Sequence, residues 1–279
     1  MKIICRRNGQ EIEFKYGFPL WVKEVEGISE TKFDIQTEKP SDFDGEIYMG
    51  STAEMRNIVI VAQIKNDHLF WRERMFSFFQ PRSKGTLYYY DQDKEKKIDY
   101  YVEEINFNFS GFVREVEISL VCPNPLFQSV KDELTQMAVW QGFIQWPLNL
   151  PPTWKVGEKV STLIANVVNS SNVTRGLTIK FMAGGTVINP SLFDINRQRG
   201  LKVQIEMHLG DVLEITTGNG NKRVRLIRDG VTSNINYLWE FGSTWLQAEP
   251  GDNVYRYDAE TGIDVLSVSI ISTPLYWGA

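Results

Sequence analysis

The chain has little of what most enzyme chemistries are built from. Its 279 residues hold two cysteines, Cys5 and Cys122, and two histidines, His68 and His208. No Cys-x-x-Cys, paired-histidine or His-Glu-x-x-His spacing occurs, so a transition-metal site has almost no ligands to draw on. Two cysteines are also too few for a disulfide framework. Two reduced core thiols are the expectation; a bridge would need the first strand to lie against the strand that ends at Cys122. A basic excess is missing too: 30 Lys+Arg stand against 35 Asp+Glu, which argues against a dedicated nucleic-acid binder. Before residue 131 the balance is 17 against 21, so the acid excess sits mostly in that half. No stretch approaches the ~18 apolar residues of a membrane span, and Met1 to Gly17 is charged where a signal peptide would be apolar. Synthesis and folding in the cytosol are therefore expected.

Catalytic arrangements are equally scarce. Asp67 and His68 are neighbours in sequence, so their side chains diverge, and no Gly-x-Ser-x-Gly elbow supplies a nucleophile. Glu103, Glu104, Glu115 and Glu117 could be imagined as a glycosidase pair, but carboxylates alternating along a strand more often form a solvated face. Gly218-Asn219-Gly220 lacks the following helix and the Lys-Ser/Thr pair of a phosphate loop, and reads as a hairpin turn. Lys222, Arg223, Arg225 and Arg228 form one basic cluster spread over both faces of a strand. No enzyme, cofactor or metal is expected.

What is present is strand and turn. With 42% hydrophobic and 13% aromatic residues the chain can bury substantial cores. Met1 to Cys5, Gln10 to Phe14, Ile58 to Ile64 and Thr86 to Tyr90 read as strands. Gly27 to Tyr48 reads as a long polar excursion. Trp71, Met75, Phe78 and Phe79 recur at helical spacing after the cap candidates Asn66 and Asp67, which predicts one short helix. A charged tip, Asp91 to Lys97, separates two long strands of a hairpin. Val116, Ile118 and Leu120 alternate with Glu115, Glu117 and Ser119, so one face is buried and the other carries carboxylates. Cys122-Pro-Asn-Pro-Leu-Phe127 breaks the pattern and marks a boundary between domains 1–130 and 131–279. A connecting helix is expected over Val130 to Gly142. Beyond it, Asp211 to Thr217, Lys222 to Arg228, Val254 to Tyr257 and Val265 to Ile271 are strands punctuated by Gly218-Asn219-Gly220 and Pro250-Gly251-Asp252, the signature of a β-sandwich. Trp140, Trp146, Trp154, Trp239, Trp245 and Trp277 are read as core and junction material in preference to sugar platforms.

The order ISETKFDIQTEKPSDFDG, MRNIVIVAQI, RERMFSFFQPRSKGTLYYYDQDKEKKIDYYVEEI and VEISLVCPNPLF resembles the N-terminal domain of the siphophage distal tail proteins, the Sipho_tail family. LGDVLEITTGNGNKRVRL, NYLWEFGSTWLQAEPGDNVYRY and the closing LYWGA are similar to that family's C-terminal galectin-like sandwich. The resemblance implies a mainly β protein of two domains: a ring-forming, barrel-like domain with a short helix and a long hairpin, then a galectin-like β-sandwich. It implies a homohexameric hub at the virion tail tip, without enzyme activity. The hub would join the tail tube and tape-measure end to the tail-associated tip protein and to receptor-binding proteins. DNA would pass through its channel without specific binding. On this reading Tyr88, Tyr89, Tyr90, Tyr100 and Tyr101 on the stems of the 91–97 hairpin are the expected oligomer interface, and Glu115 and Glu117 are expected to line the channel. The competing expectation is a carbohydrate-binding adhesin that contacts the host cell wall.

Overall fold

The computed structural model describes residues 1–42, 44–92, 94–108, 114–142 and 157–279, with backbone alone at 138–142 and 157–161. Two compact units emerge: Met1–Val130 together with Leu275–Ala279, and Lys131–Pro274.

The first unit is a closed barrel. Its strands are β1 (Lys2–Arg7), β2 (Gln10–Lys15), β3 (Leu20–Glu26), β4 (Phe33–Glu38), β5 (Ile47–Ala53), β6 (Arg56–Ile64), β7 (Lys84–Asp91), β8 (Lys94–Asn108), β9 (Glu115–Cys122) and β10 (Phe127–Ser129). Pairing runs β8–β7–β1–β2–β3–β6–β9 and returns to β8, so seven strands enclose one core without a free edge. Strict alternation drives this closure. Ile58, Ile60, Ala62 and Ile64 of β6 and Val116, Ile118, Leu120 and Cys122 of β9 all face inward. The expected helix is α1 (His68–Phe78), whose start is capped by the Asp67 carboxylate accepting from the Phe70 N–H at 3.4 Å. Met75, Phe78 and Phe79 enter the barrel core, with Phe79 6.2 Å from Phe14. Strand β10 continues the sheet beyond β8, and the terminal strand Leu275–Tyr276 pairs with β10 in turn. Residues 275–279, expected with the second domain, therefore complete the first.

Two sequence expectations change here. The polar excursion from Gly27 to Tyr48 contains β4, whose ladder with β5 makes a two-stranded sheet of its own. The charged tip is shorter than expected. Strand β7 ends at Asp91 and β8 begins at Lys94, so Lys94 to Lys97 are strand residues. Cys5 and Cys122 are both free and buried; β1 pairs with β2 and β7, never with β9. Burial pushes the Cys122 thiol up to about 12 and raises the Cys5 thiol as well, so neither is a reactive thiolate.

The second unit comprises β11 (Glu133–Gln136), β12 (Ala138–Gly142), β13 (Gly157–Ser161), β14 (Ile164–Asn169), β15 (Arg175–Ala183), β16 (Val187–Ile188), β17 (Ser191–Asp194), β18 (Arg199–Lys202), β19 (Glu206–Met207), β20 (Val212–Gly218), β21 (Asn221–Arg228), β22 (Val231–Asn234), β23 (Gln247–Ala248), β24 (Gly251–Asp258) and β25 (Leu266–Ser272). One sheet runs β11–β25–β15–β20–β21–β22 and the other β14–β24–β17–β18. Ile179, Phe181, Leu213 and Ile215 of the first share one core with Leu192, Leu201, Tyr255 and Tyr257 of the second. The helix expected over 130–142 is absent. Strand β11 instead ladders onto the edge of β25, Glu133 opposite Ser272 through Gln136 opposite Ser269, and that pairing satisfies backbone groups a local helix would leave at the sheet edge. Trp239 and Trp245 stack at 4.1 Å against this core. Trp146 and Trp154 lie outside the described residues, as does the Trp140 side chain.

Turn residues hold this unit together more than their sequence suggested. Asn253, next to the Pro250-Gly251-Asp252 turn, is fully buried and donates to the carbonyls of Val167, Glu249 and Gly251 at 3.2, 2.8 and 3.0 Å. Its amide oxygen accepts from the Glu249 N–H and from Arg197. Asp211 accepts from the His208 N–H at 2.8 Å and from Arg228 Nε at 2.9 Å, which closes the turn before β20 onto the end of β21. The Arg228 guanidinium, with burial opposing it and the His208 N–H assisting, holds the Asp211 carboxyl below its ordinary range. A depressed carboxyl contributes stability above its unfolded pKa of about 3.9 and loses it as pH falls through the folded value. Asp211→Asn is therefore expected to cost about 1–3 kcal/mol at neutral pH and to flatten the acid limb of the stability curve, checked by urea melts between pH 2 and 7. An unchanged acid limb would remove Asp211 from the account.

Candidate assembly surfaces

The outer face of β6, β9 and β8 carries several carboxylates. Register places Val61, Glu117 and Asn106 in one row, Gln63, Glu115 and Asn108 in the next, and Val59, Ser119 and Glu104 in a third. Glu103, at the register shift of β8, adds a fourth carboxylate, while Glu24 and Glu26 of β3 sit opposite Val61 and Val59. Three of these groups accept side-chain hydrogen bonds, Glu104 from Asn106 Nδ2 at 2.8 Å. Glu115 accepts from Gln63 Nε2 and Lys23 Nζ, both at 3.0 Å, and these bonds keep its carboxyl below the usual range. Glu103 accepts from Ser119 Oγ at 2.7 Å and Asn57 Nδ2 at 3.0 Å. Glu117 and Glu104 are exposed. Both expected channel residues thus lie on one outer face of the barrel, with Glu115 tied to its neighbours and Glu117 open.

The five tyrosines do not form one surface. Tyr100 is fully buried opposite Gly85, where any Cβ would lie 2.4 Å from the tyrosine hydroxyl. Glycine at 85 is what makes room for that ring. Burial raises the Tyr100 phenol, which stays neutral. Tyr89 packs against the same core. Tyr88 and Tyr90 face outward beneath Arg6 and Lys2, at 4.5 and 5.5 Å, and these cations are paired in turn with Glu11 and Glu13. Tyr101, on the outer face of β8, is 41% exposed. Because β7 and β8 are paired along both flanks, their hairpin is part of the barrel wall and cannot swing out as an arm. Tyr100, being fully buried, presents no surface to a partner.

The β4–β5 hairpin, by contrast, is a two-stranded sheet separate from the barrel wall. All six residues of β4 are exposed, and Phe33, Ile35 and Tyr48 share one face, with Ile35 and Tyr48 at 61% and 63% exposure. The signal for it is legible in the alternation Phe33-Asp34-Ile35-Gln36-Thr37-Glu38, which matches a two-faced strand. A second apolar patch lies on α1. Leu69, Phe70 and Phe76 are exposed, Arg74 covers Phe70 at 5.9 Å, and Phe76 meets Phe107 at 4.7 Å. Exposed apolar groups on a contiguous element make each patch a candidate association surface.

Other chemistry is thin. His68 opens α1, and His208 sits at the turn that Asp211 closes. No group of three His, Cys, Asp or Glu residues spaced to hold a metal ion occurs among the described residues. Among them, no helix is long and apolar enough to cross a membrane. Of the basic cluster, Arg228 is paired with Asp211 and Arg225 with Glu214.

Comparison with known proteins agrees with the resemblance read from the sequence. Residues 7–122 match the Sipho_tail family, described as the phage tail protein RIFT-related domain. Among solved structures, the chain is similar to the crystal structure of phage SPP1 Dit, a paradigm of the hub adsorption apparatus in phages that infect Gram-positive bacteria. The two are 15% identical, with 98% of each chain covered and a TM-score of 0.71. It is also similar to a chain of the phage p2 baseplate in its activated conformation, with Sr and with Ca. These are 7% and 8% identical, each covering 98% of this chain and 97% of that one at a TM-score of 0.52. Among curated proteins nothing matches.

Proposed function

With a phage tail protein RIFT-related domain over residues 7–122 as the premise, we propose that the chain is a distal tail hub protein: a structural component of the virion tail tip that closes into a six-fold ring. The family match over 7–122 carries this reading. Three features of the fold support it. The seven strands of the closed barrel leave no edge among themselves for uncontrolled pairing, so association of the barrel wall falls to side-chain surfaces, while the β4–β5 hairpin keeps edges of its own. The β4–β5 hairpin presents such a surface, apolar on one face and unpaired with any other strand. The acidic face around Glu103, Glu104, Glu115 and Glu117 suits a channel wall, since carboxylates repel DNA phosphates and keep a passing duplex from sticking.

In this arrangement the first unit builds the ring, and the second is a galectin-like sandwich. The ring joins the tail tube and tape-measure end to the tail-associated tip protein, and the sandwiches offer sites for receptor-binding proteins. Assembly takes place in the host cytoplasm. The test is the oligomeric state of the purified full-length chain. Mass photometry should find one discrete species near six times the 32.2 kDa monomer, insensitive to added saccharides. Monomer alone at micromolar concentration would count against a self-closing hub.

A further inference from the structure

The chain leaves its first unit after Val130 and re-enters it at Leu275, and the five returning residues converge on one place. Tyr276 extends the ladder on Phe127. The Trp277 carbonyl accepts from Thr31 Oγ1 at 2.7 Å and also from the Arg56 guanidinium, and its ring meets Phe33 edge-on at 5.1 Å. The Gly278 carbonyl accepts from Lys96 Nζ at 2.7 Å, and the Ala279 N–H donates to the Ile28 carbonyl at 3.2 Å. Ile28, Thr31 and Phe33 are the entry to the β4–β5 hairpin. Among the described residues that hairpin pairs with no other strand, so its direction depends on how this entry is held.

We propose that residues 275–279 are a clasp that fixes the root of the β4–β5 hairpin, so that the hairpin takes its assembly pose only after the clasp has closed. The role given to the hairpin rests on the hub reading above; the clasp itself does not. Its consequence is an order of events. The barrel strands are all made before the second unit, but the hairpin is set only when synthesis has passed residue 279 and the second unit, inserted between them, has brought the tail back. A nascent first unit is thereby kept from associating before residues 275–279 have been made.

Hydrogen exchange tests the clasp separately from the ring. Deleting residues 275–279 should speed exchange of the amides of 28–38 by about tenfold or more, while β15 and β20 of the second unit keep their protection. Adding a synthetic peptide of residues 273–279 at saturating concentration should restore the slow exchange. Trp277→Ala, which keeps the backbone hydrogen bonds and loses the ring on Phe33, should give an intermediate effect. This variant remains informative if the deletion unfolds the barrel. Unchanged exchange at 28–38 in both variants would overturn the proposal. Loss of ring formation in the deletion, with recovery on adding the peptide, would extend it to assembly. If the intact chain forms no ring, the hub reading fails while the exchange result still decides the clasp.

Discussion

Arg56→Met is expected to lower the stability of the first unit by about 3–5 kcal/mol and its melting midpoint by about 10–20 °C, leaving the second unit's transition in place. Arg56 is 4% exposed at the start of β6, and the groups around it are carbonyls and a hydroxyl in place of a carboxylate. Its Nε donates to the Pro125 carbonyl at 2.8 Å, Nη1 to the carbonyls of Gly27, Ile28 and Glu30, and Nη2 to Thr31 Oγ1 at 3.0 Å and the Trp277 carbonyl. The Phe127 ring lies 5.1 Å beneath it. Burial lowers the pKa of this guanidinium, yet it stays the cation, because arginine titrates far above any working pH. Methionine fills much of the same volume but donates nothing, so several buried carbonyls lose charge-assisted partners together. Lysine should rescue only part of the loss, since a compact ammonium cannot span acceptors arranged for a planar fork. Scanning calorimetry checks this, with the first unit's transition moving and the second's staying. A midpoint within 2 °C of the parent would contradict the role assigned to Arg56, on the scale of about 1 kcal/mol or less.

The second large effect concerns association. Ile35→Asp combined with Tyr48→Asp should weaken ring formation by at least about 100-fold in monomer concentration, because burying two large apolar side chains is worth about 3–6 kcal/mol per interface. Both residues are exposed in the isolated chain, so the barrel should melt within about 0.5 kcal/mol of the parent. Mass photometry across a dilution series gives the assembly constant, and urea melts give the stability. A double variant that assembles as the parent does would remove the hairpin from the interface.

Much of this architecture is legible in the chain wherever local pattern and tertiary environment agree. The helix at 68–78, the strands of β1, β6 and β9, and the hairpin around Asn219 and Gly220 follow from period and turn chemistry alone. The carboxylate face was readable for the same reason: alternation with Val116 and Ile118 puts Glu115 and Glu117 outside. What period cannot give is partnership. Tyr88 to Tyr90 and Tyr100-Tyr101 look alike in sequence. Only the register of β7 on β8, with Gly85 opposite Tyr100, shows which rings enter the core. Arg56 has no sequence signal, since its acceptors are backbone carbonyls contributed from residues 27 to 277. The return of residues 275–279 is hidden as well, because a two-residue strand carries no pattern of its own. The β4 alternation was readable, but the charged residues around it read as a loop.

Electron cryomicroscopy of the purified chain shows whether the hub forms and which face lines it. The expected particle is a six-fold ring in which the β6–β9–β8 face, with Glu104 and Glu117, points toward the axis and the β4–β5 hairpin reaches onto the neighbouring copy. Particles without rotational symmetry, or a ring whose lumen is lined by another face of the barrel, would contradict it.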